Sequence, residues 1–359
     1  MHLKGNFFNY TKLVALLILI PSLCGMGICQ TSEFSKLFKL EKKVTLHETD
    51  QIVLSNVTEL DVDSNGDIWI VDDMGNKMYK FSQSNGIGKI IAVLGRGPND
   101  VYMPESLYIT DDGRVYVANL LRRVTVFDIN GKSLDAFVPT DGHQPTTGVE
   151  VNSKNIIILA GPKTRYDEKT NKRTGEMIHL YTPEGKYTKS FYKRSPKLED
   201  MNLSIYRSAY IALDKNDNIY AAQPVEYQVS VFDENGNFKR TIGHKNKYYK
   251  DPRYLPDKIR RDDKKLREFL KTFTYTRDAL IFNGKLFVIR RNFVDLKNQE
   301  FQYFIDIYDC ESGKLVIGGI ETGMRLHRIK NEKFYFIRTV LLKEEDEKKI
   351  LEIYRMKSK

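Results

Sequence analysis

Six similar segments of the chain share one position, three residues after a bulky side chain, that is polar in five of them. The bulky residues are Trp69, Tyr116, Ile157, Tyr220, Phe287 and Tyr335. The residues three positions later are Asp72, Asn119, Ala160, Gln223, Arg290 and Arg338. Two of them are arginines, whose planar guanidinium group fits a carboxylate, phosphate or sulfate with parallel hydrogen bonds. The position therefore predicts contacts to a polar or anionic ligand.

More arginines occur in the connections beside these segments, so we combine both groups into one hypothesis. The predicted ligand-binding set is Arg96, Asn119, Arg122, Arg207, Gln223, Arg277, Arg290 and Arg338. The expected partner is an anionic small molecule, an anionic glycan or a protein of the cell envelope. The alternative is that these arginines are solvated in loops or form ion pairs between repeating units.

Motifs for catalysis or metal binding are missing or incomplete in the sequence. There is no Gly-x-Ser-x-Gly, no His-Glu-x-x-His and no phosphate loop. Residues 61–67 match the first half of a calcium loop, but Asp72 stands where the pattern requires Glu. Related turns recur elsewhere in the chain, so we interpret this segment as a turn. Neither a cofactor nor a metal is expected, and Cys310 has no cysteine partner outside the leader.

A repeat of short strands must position the candidate residues. An alternating strand, closed in most copies by a polar turn with glycine, recurs along the chain. The copies are Met78–Phe81, Val124–Lys132, Ile178–Lys186, Val229–Asn237, Ile305–Lys314 and Leu351–Tyr354. A strand–turn–strand segment precedes each copy, at Leu60–Val71, Leu107–Ala118, Val149–Leu159, Ile211–Ala222, Ala279–Ile289 and Leu326–Ile337. Each unit thus supplies three strands.

A fourth strand follows the third in five of the units. The candidates are Lys89–Leu94, Ser133–Val138, Tyr187–Tyr192, Phe238–Ile242 and Lys314–Ile320. The sixth unit lacks one, and Lys43–Glu48 is placed to supply it from the other end of the chain. Six four-stranded units at this spacing predict an all-β fold, a six-bladed β-propeller of antiparallel blades closed by an N-terminal strand.

Two insertions interrupt the regular spacing. Gly161–Gly175 is charged and falls between a second and a third strand. Residues of about 246–273 are strongly basic, and Leu266, Phe269, Leu270 and Phe273 follow helical spacing. We predict a short amphipathic helix that either covers the core or contacts a partner.

The N-terminus reads as a secretory signal peptide over residues 1–29, which leaves 30–359 as the propeller domain. Lys4 and Lys12 precede a short apolar run, and small residues follow it. Lipidation at Cys24 or Cys29 and an uncleaved anchor stay open as alternatives. The chain has a formal net charge of +10, and removal of the two leader lysines still leaves a basic protein, which favours anionic partners.

The segment Gly95–Ile109 resembles the glycine-rich link and following inner strand of NHL-type repeats. Over residues of about 40–359 the chain resembles the exported six-bladed propeller proteins of Bacteroidetes, some of which are lipoproteins. The resemblance implies a periplasmic or outer-membrane-associated location in a Gram-negative bacterium. It implies little about activity, because propellers support both binding and catalysis.

Two classes of function follow from these observations. The first is an extracytoplasmic binding module that recognises a ligand or protein on the loop face around the central channel. The alternative is a lactonase-like metal-dependent hydrolase or a lyase in the channel, for which Glu105, Glu150 and Asp278 are the available carboxylates. Nucleic acid is not an expected partner, because export would separate the protein from it.

Overall fold

The structure is a computed structural model of the whole chain. It describes residues 32–120, 123–142, 146–168, 172–201, 209–256, 259, 262–295, 300–341 and 347–357. The signal-peptide prediction and the two candidate lipidation sites lie outside these residues.

The strands form six antiparallel sheets of four strands each, which confirms the predicted six-bladed propeller. We number the strands in chain order. The N-terminal strand is β1, and it belongs to the last blade. Blade 1 has β2 (Val57–Val62), β3 (Ile68–Asp72), β4 (Lys77–Phe81) and β5 (Gly88–Ala92). Blade 2 has β6 (Pro104–Ile109), β7 (Arg114–Asn119), β8 (Val124–Asp128) and β9 (Ser133–Phe137). Blade 3 has β10 (Gly148–Val151), β11 (Ile157–Asp167), β12 (Lys172–Tyr181) and β13 (Tyr187–Lys193).

The remaining blades follow the same order from the inner to the outer strand. Blade 4 has β14 (Tyr210–Leu213), β15 (Ile219–Ala222), β16 (Val229–Phe232) and β17 (Phe238–Ile242). Blade 5 has β18 (Thr274–Phe282), β19 (Lys285–Asp295), β20 (Glu300–Asp309) and β21 (Leu315–Glu321). Blade 6 has β22 (Arg325–Lys330), β23 (Lys333–Leu341) and β24 (Glu347–Met356), and its outer strand is β1 (Phe38–Leu46).

The N-terminal strand β1 closes the last blade, as the sequence predicted, although it begins at Phe38 rather than Lys43. It pairs antiparallel with β24 from Phe38 opposite Met356 to Leu46 opposite Lys349. The inner strands contact one another in chain order, and β22 also contacts β2. The blades therefore form a closed ring around a central channel lined by β2, β6, β10, β14, β18 and β22.

The hydrophobic core lies between the blades. Six clusters of buried residues each join two neighbouring blades, as Val44 and Tyr335 of blade 6 do with Leu60 and Tyr79 of blade 1. This placement explains the strand sequences, because both faces of each sheet are covered by a neighbour and the strands read as nearly continuous apolar runs.

Turns between third and fourth strands also lock the blades together. Gly185 has φ +76°, and a Cβ there would lie 2.5 Å from the ring of Phe137 on the outer strand of the preceding blade. Gly236 has φ +73° and would place a Cβ 2.6 Å from the ring of Phe191 in the same way. Glycine is required here by both the left-handed backbone and the close approach.

Three short helices are described: α1 (Ser32–Leu37), α2 (Pro196–Met201) and α3 (Asp263–Leu270). The side chain of Asp262 caps α3 by accepting a hydrogen bond from the backbone N–H of Lys265. Leu266, Phe269 and Leu270 of α3 pack with Phe273 and neighbouring apolar residues in a satellite cluster. The helix predicted within residues 246–273 therefore covers apolar surface of the propeller.

The charged insertion Gly161–Gly175 extends the blade-3 hairpin. The strands β11 and β12 pair as far as Asp167 opposite Lys172, after a register shift between Ala160 and Lys163.

Candidate functional site

The polar residues at the ends of β7 and β15 hold neighbouring loops in place. Asn119 accepts a hydrogen bond from the backbone N–H of Tyr102 at 2.9 Å. Gln223 accepts one from the N–H of Ser195 at 2.7 Å and donates to the carbonyl of Lys193 at 2.8 Å. Both side chains are buried, so their hydrogen-bonding groups serve the protein itself.

The two strand-end arginines are also engaged within the protein. Arg290 is 3% exposed, and its Nε lies 2.8 Å from a carboxylate oxygen of Asp306. Its two terminal nitrogens donate to a threonine hydroxyl and a backbone carbonyl at 2.8 and 2.6 Å. Arg338 is half-buried, with its Nε 3.5 Å from a carboxylate oxygen of Glu352.

The other candidates lie in different parts of the molecule. Arg96 is exposed and lines a groove at the outer edge of blade 2. Arg277 lies on the inner strand β18 and reaches the channel. Arg122 and Arg207 lie outside the described residues. Of the eight candidates, Arg277 is therefore the described residue that the structure places at the channel, and the binding role of the set stays a prediction.

Four of the six inner strands contain a β-bulge near their start. The pairing register skips Thr58 in β2, Glu105 in β6, Arg277 in β18 and His327 in β22. A bulge leaves one residue unpaired and redirects its side chain, and such bulges are common beside functional sites. Equivalent bulges on four blades thus bring polar side chains together around one mouth of the channel.

Contacts across the ring show that these residues meet at its centre. A terminal nitrogen of Arg277, in blade 5, lies 3.5 Å from the carbonyl oxygen of Thr58 in blade 1. The other lies 3.4 Å from the hydroxyl of Tyr210 in blade 4, and the guanidinium carbon is 5.5 Å from that ring. Among the described residues, no carboxylate oxygen lies within 4.0 Å of the Arg277 nitrogens.

A second arginine at the same mouth, Arg325, is paired with carboxylates through one terminal nitrogen, and its Nε has no hydrogen-bond partner among the described residues. Arg325 donates to the Thr58 carbonyl at 2.5 Å. Another of its nitrogens lies 3.0 Å from Asp278 and 3.4 Å from Glu59. Arg325 therefore helps to build the mouth, whereas Arg277 keeps hydrogen-bonding capacity.

Two glutamates at the mouth hold their protons unusually strongly. Burial, together with the charge of Asp278, raises the pKa of Glu59 to about 8, although Arg325 opposes the shift. Burial and the charge of Asp73 raise the pKa of Glu105 to about 7, against the effect of Arg277. At neutral pH Glu59 is therefore mostly protonated and Glu105 is about half protonated, and each can donate a hydrogen bond in its protonated form.

His327 completes the mouth with an unused hydrogen-bonding atom. The residue is 4% exposed, and its Nδ1 has no hydrogen-bond partner among the described residues. Burial and the charges of Arg325 and Arg277 lower the pKa of His327 well below its usual value. A buried, neutral imidazole with an unsatisfied nitrogen is costly for a fold alone.

Deeper in the channel a closed ion network joins three blades. Arg328 lies 3.0 Å from Asp61 and 3.2 Å from Glu150, and its guanidinium stacks 5.0 Å from the ring of Tyr108. Lys330 lies 3.4 Å from Asp61. In this deeper layer of the channel each described cation lies beside an acidic side chain. At the mouth, by contrast, Arg277 has no carboxylate within ion-pair distance among the described residues.

The structure also brings together a serine, a histidine and an aspartate that the sequence did not reveal. Nδ1 of His179 lies 2.8 Å from both Asp141 and the hydroxyl of Ser190. Its Nε2 lies 2.7 Å from the carbonyl oxygen of Gly161. A catalytic triad needs serine on the nitrogen opposite the aspartate, and this buried arrangement leaves that nitrogen on a carbonyl. The cluster is therefore part of the blade-3 framework.

The segment that resembled half of a calcium loop forms a turn. Asp63 accepts hydrogen bonds from the backbone N–H of Asn65 and Asp67 and from the indole N–H of Trp69 at 2.9 Å, and it pairs with Lys80 at 2.7 Å. Over the described part of the chain, no group of three or more His, Cys, Asp or Glu residues is arranged to hold a metal ion. Nor does any described helix have the length and apolar character that a membrane span requires.

Comparisons with known proteins agree on the fold. No protein-family model and no curated protein matches the chain. It is similar to a protein of Bacteroides fragilis named as exported, with a TM-score of 0.61 and 13% identity over 90% of this chain and 96% of that one. It is also similar to a DUF4221 family member from Bacteroides vulgatus, with a TM-score of 0.62 and 12% identity over 90% of this chain and 98% of that one.

A third similar structure is an enzyme. A gluconolactonase of Xanthomonas campestris gives a TM-score of 0.50 and 10% identity, over 85% of this chain and 88% of that one. Identities this low establish a shared fold only. They confirm the predicted resemblance to exported Bacteroidetes propellers at that level and leave the function to the geometry of the site.

Proposed function

We propose that this chain is an extracytoplasmic binding module whose ligand carries a carboxylate, phosphate or sulfate group and binds at the mouth of the central channel. The observation that carries the proposal is Arg277. Of the channel arginines, Arg325 is paired with Asp278 and Arg328 with Asp61, whereas the described surroundings of Arg277 place no carboxylate within ion-pair distance. A guanidinium group in that state favours an anion from outside.

The neighbours of Arg277 support an anionic ligand. Glu59 and Glu105 have pKa values raised to about 8 and about 7, so at neutral pH they repel an anion less than ordinary glutamates would. Their protonated carboxyl groups and the free Nδ1 of His327 offer further hydrogen bonds to a polar ligand. Tyr210 provides an aromatic face beside the guanidinium group.

Export is the second part of the proposal. The basic, then apolar, then small-residue pattern over residues 1–29 is typical of a secretory signal. The similarity to a Bacteroides fragilis protein named as exported agrees with it. We place the protein in the periplasm or at the outer membrane of a Gram-negative cell.

Calorimetric titration tests the binding site directly. The probes are glucuronate, glucose 6-phosphate and glucose 6-sulfate, with glucose as the neutral control. We expect the anionic probes to bind and glucose to bind far more weakly. Arg277→Gln should weaken binding by about 10- to 100-fold, the loss expected for a charge-assisted hydrogen bond.

Arg114→Gln is the matched control, because Arg114 is exposed at the start of β7, at the end of that strand opposite Asn119. It should leave the affinity for the anionic probes unchanged.

The affinity for the anionic probes should also rise as the pH falls from 8.5 to 6, since Glu59 and Glu105 gain protons over that range. Equal affinity for glucose, no binding of any anion, or an unchanged affinity in Arg277→Gln would each contradict the proposal.

A further inference from the structure

The six outer strands of the propeller differ in how their open edges are protected. An outer strand presents unpaired backbone groups to solvent, and proteins commonly guard such edges with lysine, bulges or covering segments. Four outer strands contain lysine, namely β1, β5, β13 and β17. Two, β9 and β21, contain none.

The edge of β21 is protected in another way. Its pairing with β20 is interrupted by two register shifts. The ring of Tyr248 also lies against it, because a Cβ on Gly319 would come within 2.2 Å of that ring. Tyr248 in turn stacks on Phe304, with ring centroids 5.5 Å apart. A segment of the basic insertion therefore covers this strand.

The edge of β9 has neither protection. Its pairing with β8 has a single register shift, between Val126 and Phe127, as the pairing of the lysine-bearing strand β17 with β16 has between Val231 and Phe232. Leu134 is 53% exposed and Val138, directly after the strand, is 58% exposed. Ala136 between them is also exposed. Among the described residues, this side of β9 thus exposes apolar side chains, and the nearest cations are Lys132, directly before the strand, and Arg96 and Arg123 beside it.

A groove of about 780 Å³ runs beside this edge. Its other wall is the glycine-rich link from blade 1, which is tied down by three hydrogen bonds. Arg123 donates to the carbonyls of Arg96 and Pro98 at 2.9 and 3.1 Å, and the hydroxyl of Ser133 donates to Pro98 at 2.7 Å. The groove is therefore formed before any partner arrives.

The charge of the groove indicates the chemistry of its occupant. Arg96, Arg123 and Lys132 line it, and Asp135 is the one carboxylate among the lining residues. Asp135 also accepts a hydrogen bond from the backbone N–H of Ala136 at 2.7 Å. A basic groove along an apolar strand edge favours an extended segment with acidic and apolar side chains in alternation.

We propose that β9 is a docking edge at which an extended, acidic segment of a partner protein adds a fifth strand to blade 2. Backbone hydrogen bonds to β9 would provide affinity. Contacts with Leu134 and Val138 would fix the register, and Arg96 and Lys132 would select acidic side chains. This edge is remote from the channel mouth, so it is a second site with a different class of ligand.

Fluorescence anisotropy with synthetic peptides tests the proposal. The probe is a blocked peptide of alternating Glu and Val, compared with a Lys and Val peptide of equal length and with a Glu and Val peptide whose valines are N-methylated. We expect binding of the first peptide alone. N-methylation removes the backbone donors that strand addition requires, so it separates strand addition from simple charge attraction.

Substitutions in the protein identify the edge. Leu134→Lys places a guarding lysine on an exposed position and should weaken binding by about tenfold or more. Phe238→Lys is the matched control, because Phe238 is 62% exposed on the outer strand of blade 4, which already has a lysine. It should not change the affinity. Arg96→Glu combined with Lys132→Glu should weaken binding of the acidic peptide.

Several outcomes would overturn this assignment. They are failure of the Glu and Val peptide to bind, equal binding of the N-methylated peptide, or an affinity unaffected by Leu134→Lys. Analytical ultracentrifugation of the unmodified protein, which measures its oligomeric state, gives one further outcome that would overturn the assignment. A dimer that Leu134→Lys abolishes would show that the edge pairs two copies of this chain instead of a partner segment.

Discussion

Two sets of polar residues near the same face of the propeller behave in opposite ways. At the strand ends, Asn119, Gln223 and Arg290 use their polar atoms to hold loops and a buried carboxylate. At the inner-strand bulges, Arg277 has no carboxylate oxygen within 4.0 Å, and Nδ1 of His327 has no hydrogen-bond partner, among the described residues. Both sets contain residue types that suit ligand binding. The difference lies in whether the fold already uses their hydrogen bonds, and the sequence does not show that.

The comparison also explains why a recurring position is a weak guide to function. A polar residue repeated at the same place in several blades meets the same structural need in each one, because each blade has a loop to anchor there. A residue on a bulge has no such repeated partner. Its side chain is redirected into the channel, where the six blades contribute different chemistry.

The largest expected effect is the loss of Arg290. Arg290→Leu leaves the buried carboxylate of Asp306 without its partner, which should reduce the free energy of unfolding by about 3–5 kcal/mol. Arg277→Leu removes a cation that lacks an ion pair among the described residues and should cost about 1 kcal/mol or less. Urea unfolding of both variants measures the contrast. Equal losses would mean that the two arginines do not differ as the structure indicates.

The next effect concerns Glu59 and pH. Its pKa is about 8 in the folded protein and 4.5 ordinarily, so the folded state binds the extra proton, and stability falls as the pH rises through 8. Between pH 6.5 and 8.5 Glu59 should lower the free energy of unfolding by roughly 2 kcal/mol, and the other raised glutamates at the channel should bring the total decrease to roughly 3 kcal/mol or more.

Glu59→Gln should remove part of this decrease, and Glu105 and Glu150, whose pKa values are raised to about 7, account for the remainder. Thermal unfolding followed across that pH range makes the comparison. The range begins at the usual pKa of histidine, 6.5, and the lowered pKa of His327 therefore acts on stability mainly at more acidic pH. A flat profile for the unmodified protein would show that these glutamates are ionised throughout.

The smallest effect is expected at His327. Leucine has a similar volume and leaves no unsatisfied nitrogen, so His327→Leu should change the free energy of unfolding by less than about 1 kcal/mol, in either direction. The same variant should weaken binding of the anionic probes. A large loss of stability, measured by urea unfolding, would show that His327 supports the fold in the way Arg290 does.

The sequence predicts the fold well because the repeat is local. Period-two strands and glycine turns such as those at Gly185 and Gly236 lie within short segments, and their copies reinforce one another. The sequence also predicts the closing strand β1, although the strand begins at Phe38, before the predicted start at Lys43. Residues 38–42 are mostly charged and exposed, so they lack the apolar alternation that marks a strand.

The channel mouth is harder to predict because it depends on distant residues. Arg277 and Thr58 meet across the ring from blades 5 and 1, and no local pattern connects them. One signal is present in the sequence: Glu59 and Asp61 alternate with Leu60 and Val62 in β2, and Arg328 and Lys330 flank Ile329 in β22, so the charged side chains share the face opposite the apolar ones. The bulges that redirect side chains, however, follow from three-dimensional pairing and leave no reliable trace in one sequence.

The pairing of β1 with β24 has a consequence for the order of events during synthesis. The first described strand is matched with the last described one, Phe38 opposite Met356. The ring therefore cannot close until Met356 has left the ribosome, and contacts so distant in sequence form slowly. A leader that directs the chain to a translocation pore would act on a polypeptide whose native ring is still open. The topology itself would keep the protein in a state that can thread through a membrane, and folding would be completed on the far side.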